Sequence, residues 1–166
     1  MSKRKITVKS CDDQVFVVDE AVAAHSPILS LFFTDENHSD DPISFSRMIS
    51  GKVLSLAIKY CAYHADHRQV IASSSSSVDP LINRKHVAEW EYEFINDVAK
   101  DKDTLFYLTK AANYLNIEGL LNLACKNLAS FTVGKTPDQI RIVFSIKNIH
   151  YKEEDEEIRK ELGWPE

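Results

Sequence analysis

The chain has 166 residues, 44% of them hydrophobic, and a formal net charge of −5, enough for one ordinary domain with a packed core. The acidic balance argues against nucleic acid, whose phosphates select basic faces, and no run reaches the ~18 uninterrupted apolar residues of a membrane span or signal core. Three scattered cysteines, Cys11, Cys61 and Cys125, make no disulfide framework and fit a reducing compartment, so a soluble intracellular chain is expected.

Lys5 to Lys9 alternates Ile6 and Val8 with polar residues, and Val15 to Val18 follows a short polar stretch, which predicts a β-hairpin. The basic run Lys3-Arg4-Lys5 reads as a solvated strand end. Asp19 to His25 is predicted as a short helix, and Ser26-Pro27 restarts helix as a cap followed by proline, with Ile28, Leu31 and Phe32 as its apolar stripe. Pro42 to Phe45 is expected to be a short third strand. Ile49, Val53, Leu56, Ala57 and Tyr60 then give a helical stripe to about Tyr63. Residues 67–86, with five serines from Ser73 to Ser77, are expected to be a flexible loop. Helix resumes with Trp90, Phe94 and Val98 at i, i+4, i+8.

The stretch Asp103 to Asn148 carries more apolar helix surface than one small core buries. Leu105, Leu108, Ala112 and Leu115 form a packing seam. Phe106, Tyr107, Lys110 and Tyr114 lie on the other side of the same helix. After a break at Asn116, Leu120, Leu121, Ala124, Cys125, Leu128 and Phe131 fan over roughly 140°, wider than a single-faced surface helix needs. Gly134 follows as a glycine C-cap. The aromatic side has two readings, a helix wedged between layers of its own domain or an interaction surface, and periodicity leaves both open. Thr136-Pro137-Asp138-Gln139 is a helix start with cap, N1 proline and capping-box glutamine, continued by Ile140, Val143 and Phe144. A last helix has a thin stripe of Tyr151, Ile158 and Leu162 behind an acidic first turn from Glu153 to Glu157, with Trp164 after it.

Little in the chain suggests chemistry. Its four glycines form neither a dinucleotide-binding nor a P-loop pattern, and the acidic run from Glu153 lacks calcium-loop spacing. His25, Ser26 and Ser30 are read as a cap and a helix surface. Cys61, His64 and His67, beside Asp66, are the one metal-like group. His67 is expected past the end of its helix, and the second pair of ligands that a structural zinc wants is missing. Cys125 reads as a small core or interface residue. No catalytic residue, metal or cofactor is assigned.

Taken together, Thr104-Leu105-Phe106, Ala111-Ala112-Asn113-Tyr114-Leu115, Ile117-Glu118-Gly119-Leu120-Leu121, Cys125-Lys126, Gly134-Lys135-Thr136-Pro137, Ile140-Arg141, Phe144, Ile146-Lys147-Asn148 and Arg159-Lys160-Glu161 resemble the Skp-type adaptors of SCF ubiquitin ligases. The resemblance runs over nearly the whole chain. It implies an α/β BTB/POZ-type fold, with a small N-terminal sheet over residues 1–134 and a C-terminal helical extension over residues 135–166. It implies a non-enzymatic bridge between a cullin and F-box substrate receptors, cytoplasmic and nuclear, with no nucleic-acid or membrane partner. Asn113 and Tyr114, with Phe106 and Tyr107, match the cullin-facing positions. Leu120, Leu121, Cys125, Leu128, Ile140, Phe144, Ile146, Asn148 and Trp164 match the F-box-facing part, and a free chain would expose apolar surface open to weak self-association. The chain departs from the family at Ile149-His150-Tyr151, at the Gly163 and Pro165 that flank Trp164, and in its serine run, changes expected to narrow its choice of F-box partners. The rival reading is another BTB-fold adaptor, elongin-C-like or self-associating, which would lack the segment from Thr136 to Trp164.

Overall fold

In the computed structural model of the chain, described for residues 4–34, 42–45, 49–73 and 80–145, β1 (Lys5–Lys9) and β2 (Val15–Asp19) pair antiparallel, with Ile6 opposite Val18 and Val8 opposite Phe16. The period-two pattern puts Ile6, Val8 and Val18 into the core and leaves Val15 and Val17 on the outer face. Asp13, at φ 63°, turns the chain between them. A third strand, β3 (Ile43–Ser44), adds parallel to β1, giving the order β2-β1-β3.

Between β2 and β3 the chain forms α1 (Glu20–Ala23) and α2 (Pro27–Thr34). Ser26 caps α2: its hydroxyl accepts from the Leu29 amide at 3.3 Å and donates to the Leu115 carbonyl at 2.5 Å. That buried cap sets the phase of the helix. Leu29 and Phe33, three and seven residues on, therefore face the core, whereas Leu31 and Phe32 are 61% and 38% exposed. The expected stripe through Leu31 and Phe32 is thus displaced, because apolar spacing alone does not reveal that the capping serine is itself buried.

The helix α3 runs from Gly51 to Ser73 and α4 from Pro80 to Val98. Residues 67–73 and 80–86 are therefore helical where a loop was expected, and residues 74–79 lie outside the described part. Stacked rings accompany the first turn of the extension, as far as His67. Tyr63 lies 3.8 Å from Trp90 at an interplanar angle of 3°, and it also stacks on His67, one turn further along α3. Trp90 stacks in turn on Phe94. These contacts hold the two helices together beyond the reach of the aliphatic stripe.

Next come α5 (Lys102–Tyr114) and α6 (Glu118–Ser130), with Asn116 at φ 54° between them, a conformation asparagine tolerates better than most side chains. Gly119 is required by close approach: a β-carbon there would meet the Tyr60 hydroxyl at 2.7 Å. The chain divides into two compact units, Met1–Ala129 and Ser130–Glu166. In the second, a turn over residues 131–134 ends on Gly134 at φ 71°, four residues past the end of α6 rather than directly after it. There α7 (Pro137–Val143) opens on the expected capping box. The Thr136 hydroxyl accepts from the Gln139 amide, and the Gln139 side chain accepts from the Thr136 amide at 3.0 Å. The helix expected around Tyr151 to Leu162 lies outside the described residues.

Candidate interaction surface

Helix α5 has two unlike sides. Leu105, Leu108 and Ala112 are 0% exposed, with Ala111 and Leu115 nearly so. Burial of this completeness holds the helix firmly, at ~1.5–3 kcal/mol for each large apolar side chain. Its start is tied down as well. The Asp101 carboxylate accepts from the Thr104 amide at 3.4 Å, the Thr104 hydroxyl at 2.5 Å and the Lys52 ammonium at 2.9 Å. The Thr104 hydroxyl also accepts from Lys52, at 2.8 Å. The Thr104 hydroxyl and then Lys52 hold the Asp101 carboxyl far below the usual carboxylate range. This network joins the first turn of α5 to the first turn of α3.

The opposite side of α5 is open. Phe106, Tyr107 and Tyr114 are 46%, 52% and 54% exposed, and Lys110 and Asn113 are exposed beside them. Of the two sequence readings, the wedged one does not hold: these rings are at the surface and not inside the domain. They are not loose either. Phe106 and Tyr107 meet edge to face at 6.1 Å, the Lys110 ammonium lies 4.8 Å from the centre of the Phe106 ring, and Tyr114 meets the buried Phe45 edge to face at 6.1 Å. Next to Tyr114 is a cavity of about 250 Å³ lined by Ile49, Lys110, Ala111 and Asn113 as well as Tyr114. Phe45 and Ile49 went unnoticed as site residues, since their place beneath α5 depends on the tertiary fold and leaves no local pattern.

The surface along α6 is of another kind. Leu120 and Ala124 are fully buried, so Leu120 supports any partner-facing surface from beneath rather than forming it. Leu121, Leu123, Leu128 and Phe131 are half-buried, and Cys125 is exposed, not a core residue. In the second unit Ile140 and Phe144 are half-buried, while Ile142 is 78% exposed. Ile146, Asn148 and Trp164 lie outside the described residues.

Several chemistry-bearing side chains outside these surfaces have structural surroundings, although the buried Nε2 atoms of His64 and His67 make no hydrogen bond among the described residues. Cys61 is buried, which pushes its thiol up to about 12, far from a thiolate at neutral pH. His67 lies within α3 and not past its end, its ring against Tyr63. His64 is 3.2 Å from a Glu91 oxygen that also accepts from the Tyr60 hydroxyl at 2.8 Å. Among the described residues no group of three or more His, Cys, Asp or Glu is arranged to hold a metal ion. Ser26 spends its hydroxyl on the Leu115 carbonyl. Among the described residues, too, no helix is long and apolar enough to cross a membrane.

Comparison with known proteins gives two matches to one family. Residues 4–66 match the tetramerisation domain of the Skp1 family, and residues 118–165 match its dimerisation domain. The chain is similar to SKP1-like protein 20 of Oryza sativa subsp. japonica, at 39% identity over 98% of this chain and 95% of that one. It is similar also to SKP1-like protein 1A of Arabidopsis thaliana, at 37% over 99% and 98%, and to SKP1-like protein 17 of the same plant, at 35% over 99% and 98%. The family models match a POZ-type unit and a C-terminal segment, the relatives align over nearly the whole length, and the chain belongs to the Skp1 family, whose members are adaptor components of SCF ubiquitin ligases.

Proposed function

We propose that this chain bridges a cullin scaffold to F-box substrate receptors and performs no chemistry of its own. The observation that carries the reading is the half-exposed aromatic face of Phe106, Tyr107 and Tyr114, with Asn113, on a helix whose other side is wholly buried. Such a face is rigid and already desolvated in part, so a partner can dock on it without ordering a loop. The cullin is assigned to this side. The F-box protein is assigned to Leu121, Cys125 and Leu128 of α6, supported from beneath by Leu120, together with Ile140, Phe144, Ile146, Asn148 and Trp164 of the extension over residues 135–166. A helical F-box would cover the aliphatic groups that α6 leaves half-buried. Cytoplasm and nucleus are the proposed compartments.

The test is affinity purification of the tagged chain from a eukaryotic lysate, followed by identification of what remains bound. A cullin together with F-box proteins is the expected result. F-box proteins without a cullin would mean an adaptor working outside the ligase. Elongin-type receptors, or further copies of this chain alone, would favour a different BTB-fold role.

A further inference from the structure

The α5 face carries one charge in its middle. Between Phe106 and Tyr114 the only ionisable group of fixed charge is Lys110, and its ammonium rests 4.8 Å from the centre of the Phe106 ring. None of the ion pairs among the described residues includes Lys110. Lys110 also forms one wall of the 250 Å³ cavity, where Asn113 and Tyr114 are further walls and the buried Ile49 and Ala111 make an apolar floor. Any partner that covers Asn113, Tyr114 and Phe106 together must also cover Lys110.

Covering an ammonium without a counter-charge is costly, because the ion loses its water and gains nothing in return. The cavity beside it has the opposite requirement, an apolar group to fill its floor. Resting on the reading of this face as the cullin side, we propose that Lys110 selects the scaffold by charge. The scaffold presents a carboxylate to the Lys110 ammonium and, next to it, an apolar side chain that enters the cavity over Ile49 and Ala111. Contact with the Phe106 ring fixes the ammonium before the partner arrives. Lys110 is then a specificity residue: scaffolds with a neutral or basic side chain at the facing position bind weakly, whatever their fit elsewhere.

Affinity of the full chain for a panel of purified cullin N-terminal regions tests this, measured at several salt concentrations for the unaltered protein, Lys110→Met, Lys110→Glu and the pair Asn113→Lys/Tyr114→Lys. Lys110→Met is expected to weaken the best-bound cullin by about 30-fold and to flatten its salt dependence. Lys110→Glu is expected to weaken it by more than ~100-fold, with recovery when the facing carboxylate of the cullin is changed to lysine. If Lys110→Met binds as tightly as the unaltered chain while the Asn113/Tyr114 pair abolishes binding, the charge selection is wrong and the cullin face stands. If the unaltered chain binds no cullin, the reading of the face fails and this inference falls with it.

Discussion

Helices α5 and α6 follow one another in the chain, each is 13 residues long, and both are richly apolar, yet they finish their packing differently. On α5 the division is sharp: aliphatic residues are wholly buried on one side, and aromatic residues are half-exposed on the other. On α6 it is graded. Only Leu120 and Ala124 are buried, and Leu121, Leu123 and Leu128 remain half-covered. The first is a completed helix with an exposed aromatic face laid over it, the face proposed for docking, and the second is part of a core whose covering is incomplete. A docking face of large rings can lose a partner at no cost to the fold. A half-covered aliphatic helix gains stability whenever something covers it, at roughly 25 cal/mol per Å² of apolar surface removed from water.

The largest expected effect separates the two helices outright. Asn113→Lys with Tyr114→Lys puts two ammonium groups on the α5 face and should weaken cullin binding by about 1000-fold. Both side chains are exposed, so the folded state should change by about 1 kcal/mol or less. F-box binding should be untouched. Denaturant unfolding beside two binding assays decides it: loss of stability and of both partners together would mean that these residues serve the core. Next in size is Leu108→Ala, which empties a fully buried site and should cost ~3 kcal/mol in the isolated chain. Leu121→Ala, on the half-covered side of α6, should cost only ~1 kcal/mol in the isolated chain and clearly more in the F-box complex, where the side chain becomes fully buried. An equal cost in both states would show that α6 is already complete.

The same contrast explains what could be read from the residues beforehand. The seam Leu105, Leu108, Ala112 and Leu115 is strictly periodic, and it is buried as expected. The capping box at Thr136 is a local four-residue device and forms as expected. Wherever the deciding contact came from a distant element, the reading failed or stayed open. The phase of α2 follows from Ser26, whose hydroxyl reaches a carbonyl 89 positions along the chain. The continuation of α3 past Tyr63 goes with rings that stack across helices, His67 on Tyr63 and Tyr63 on Trp90 of α4. Exposure of the aromatic side of α5 depended on whether another layer covered it, and no periodicity within a helix carries that information. Lys52 and Asp101, 49 residues apart, left no signal at all. The candidate site was therefore assigned through family resemblance and the fold largely through periodicity, while the supports beneath that surface appeared only in three dimensions.

A smaller effect concerns how α5 is held. Asp101→Ala removes the cap from the Thr104 amide and the partner of Lys52, and should cost about 1 kcal/mol, seen as a lower urea midpoint. Because the first turn of α5 also sets where Phe106 and Tyr107 stand, cullin affinity should fall by a few-fold while F-box affinity stays constant. Asp101→Asn keeps an oxygen that can cap the helix and should recover most of the stability. A uniform loss of both partners would mean that the cap supports the unit as a whole.

The smallest effect is a pH dependence that belongs to the histidines between α1, α3 and α4. Burial pulls His25 below its ordinary 6.5, and proximity to His64 and Arg68 adds to it. Burial does the same for His64, opposed in part by Glu91. In both cases the folded state resists the proton. Well above pH 6.5 neither the folded nor the unfolded chain is protonated at these rings, so they cost nothing. As the pH falls below 6.5 the unfolded chain takes up protons first, and stability declines until the folded values are passed. Asp101 has the usual carboxylate sign: its stabilisation is present in full above its ordinary 3.8 and is lost progressively as the pH falls from there towards the depressed folded value. Mild acidification from pH 7.5 to 5.5 should therefore loosen the α3–α4 region, where Tyr60 links Glu91 to the start of α6, and leave the α5 cap intact. F-box affinity should weaken across that range more than cullin affinity. Replacing His25 and His64 by glutamine should flatten the decline in urea midpoint; an unchanged slope would assign it to carboxylates elsewhere.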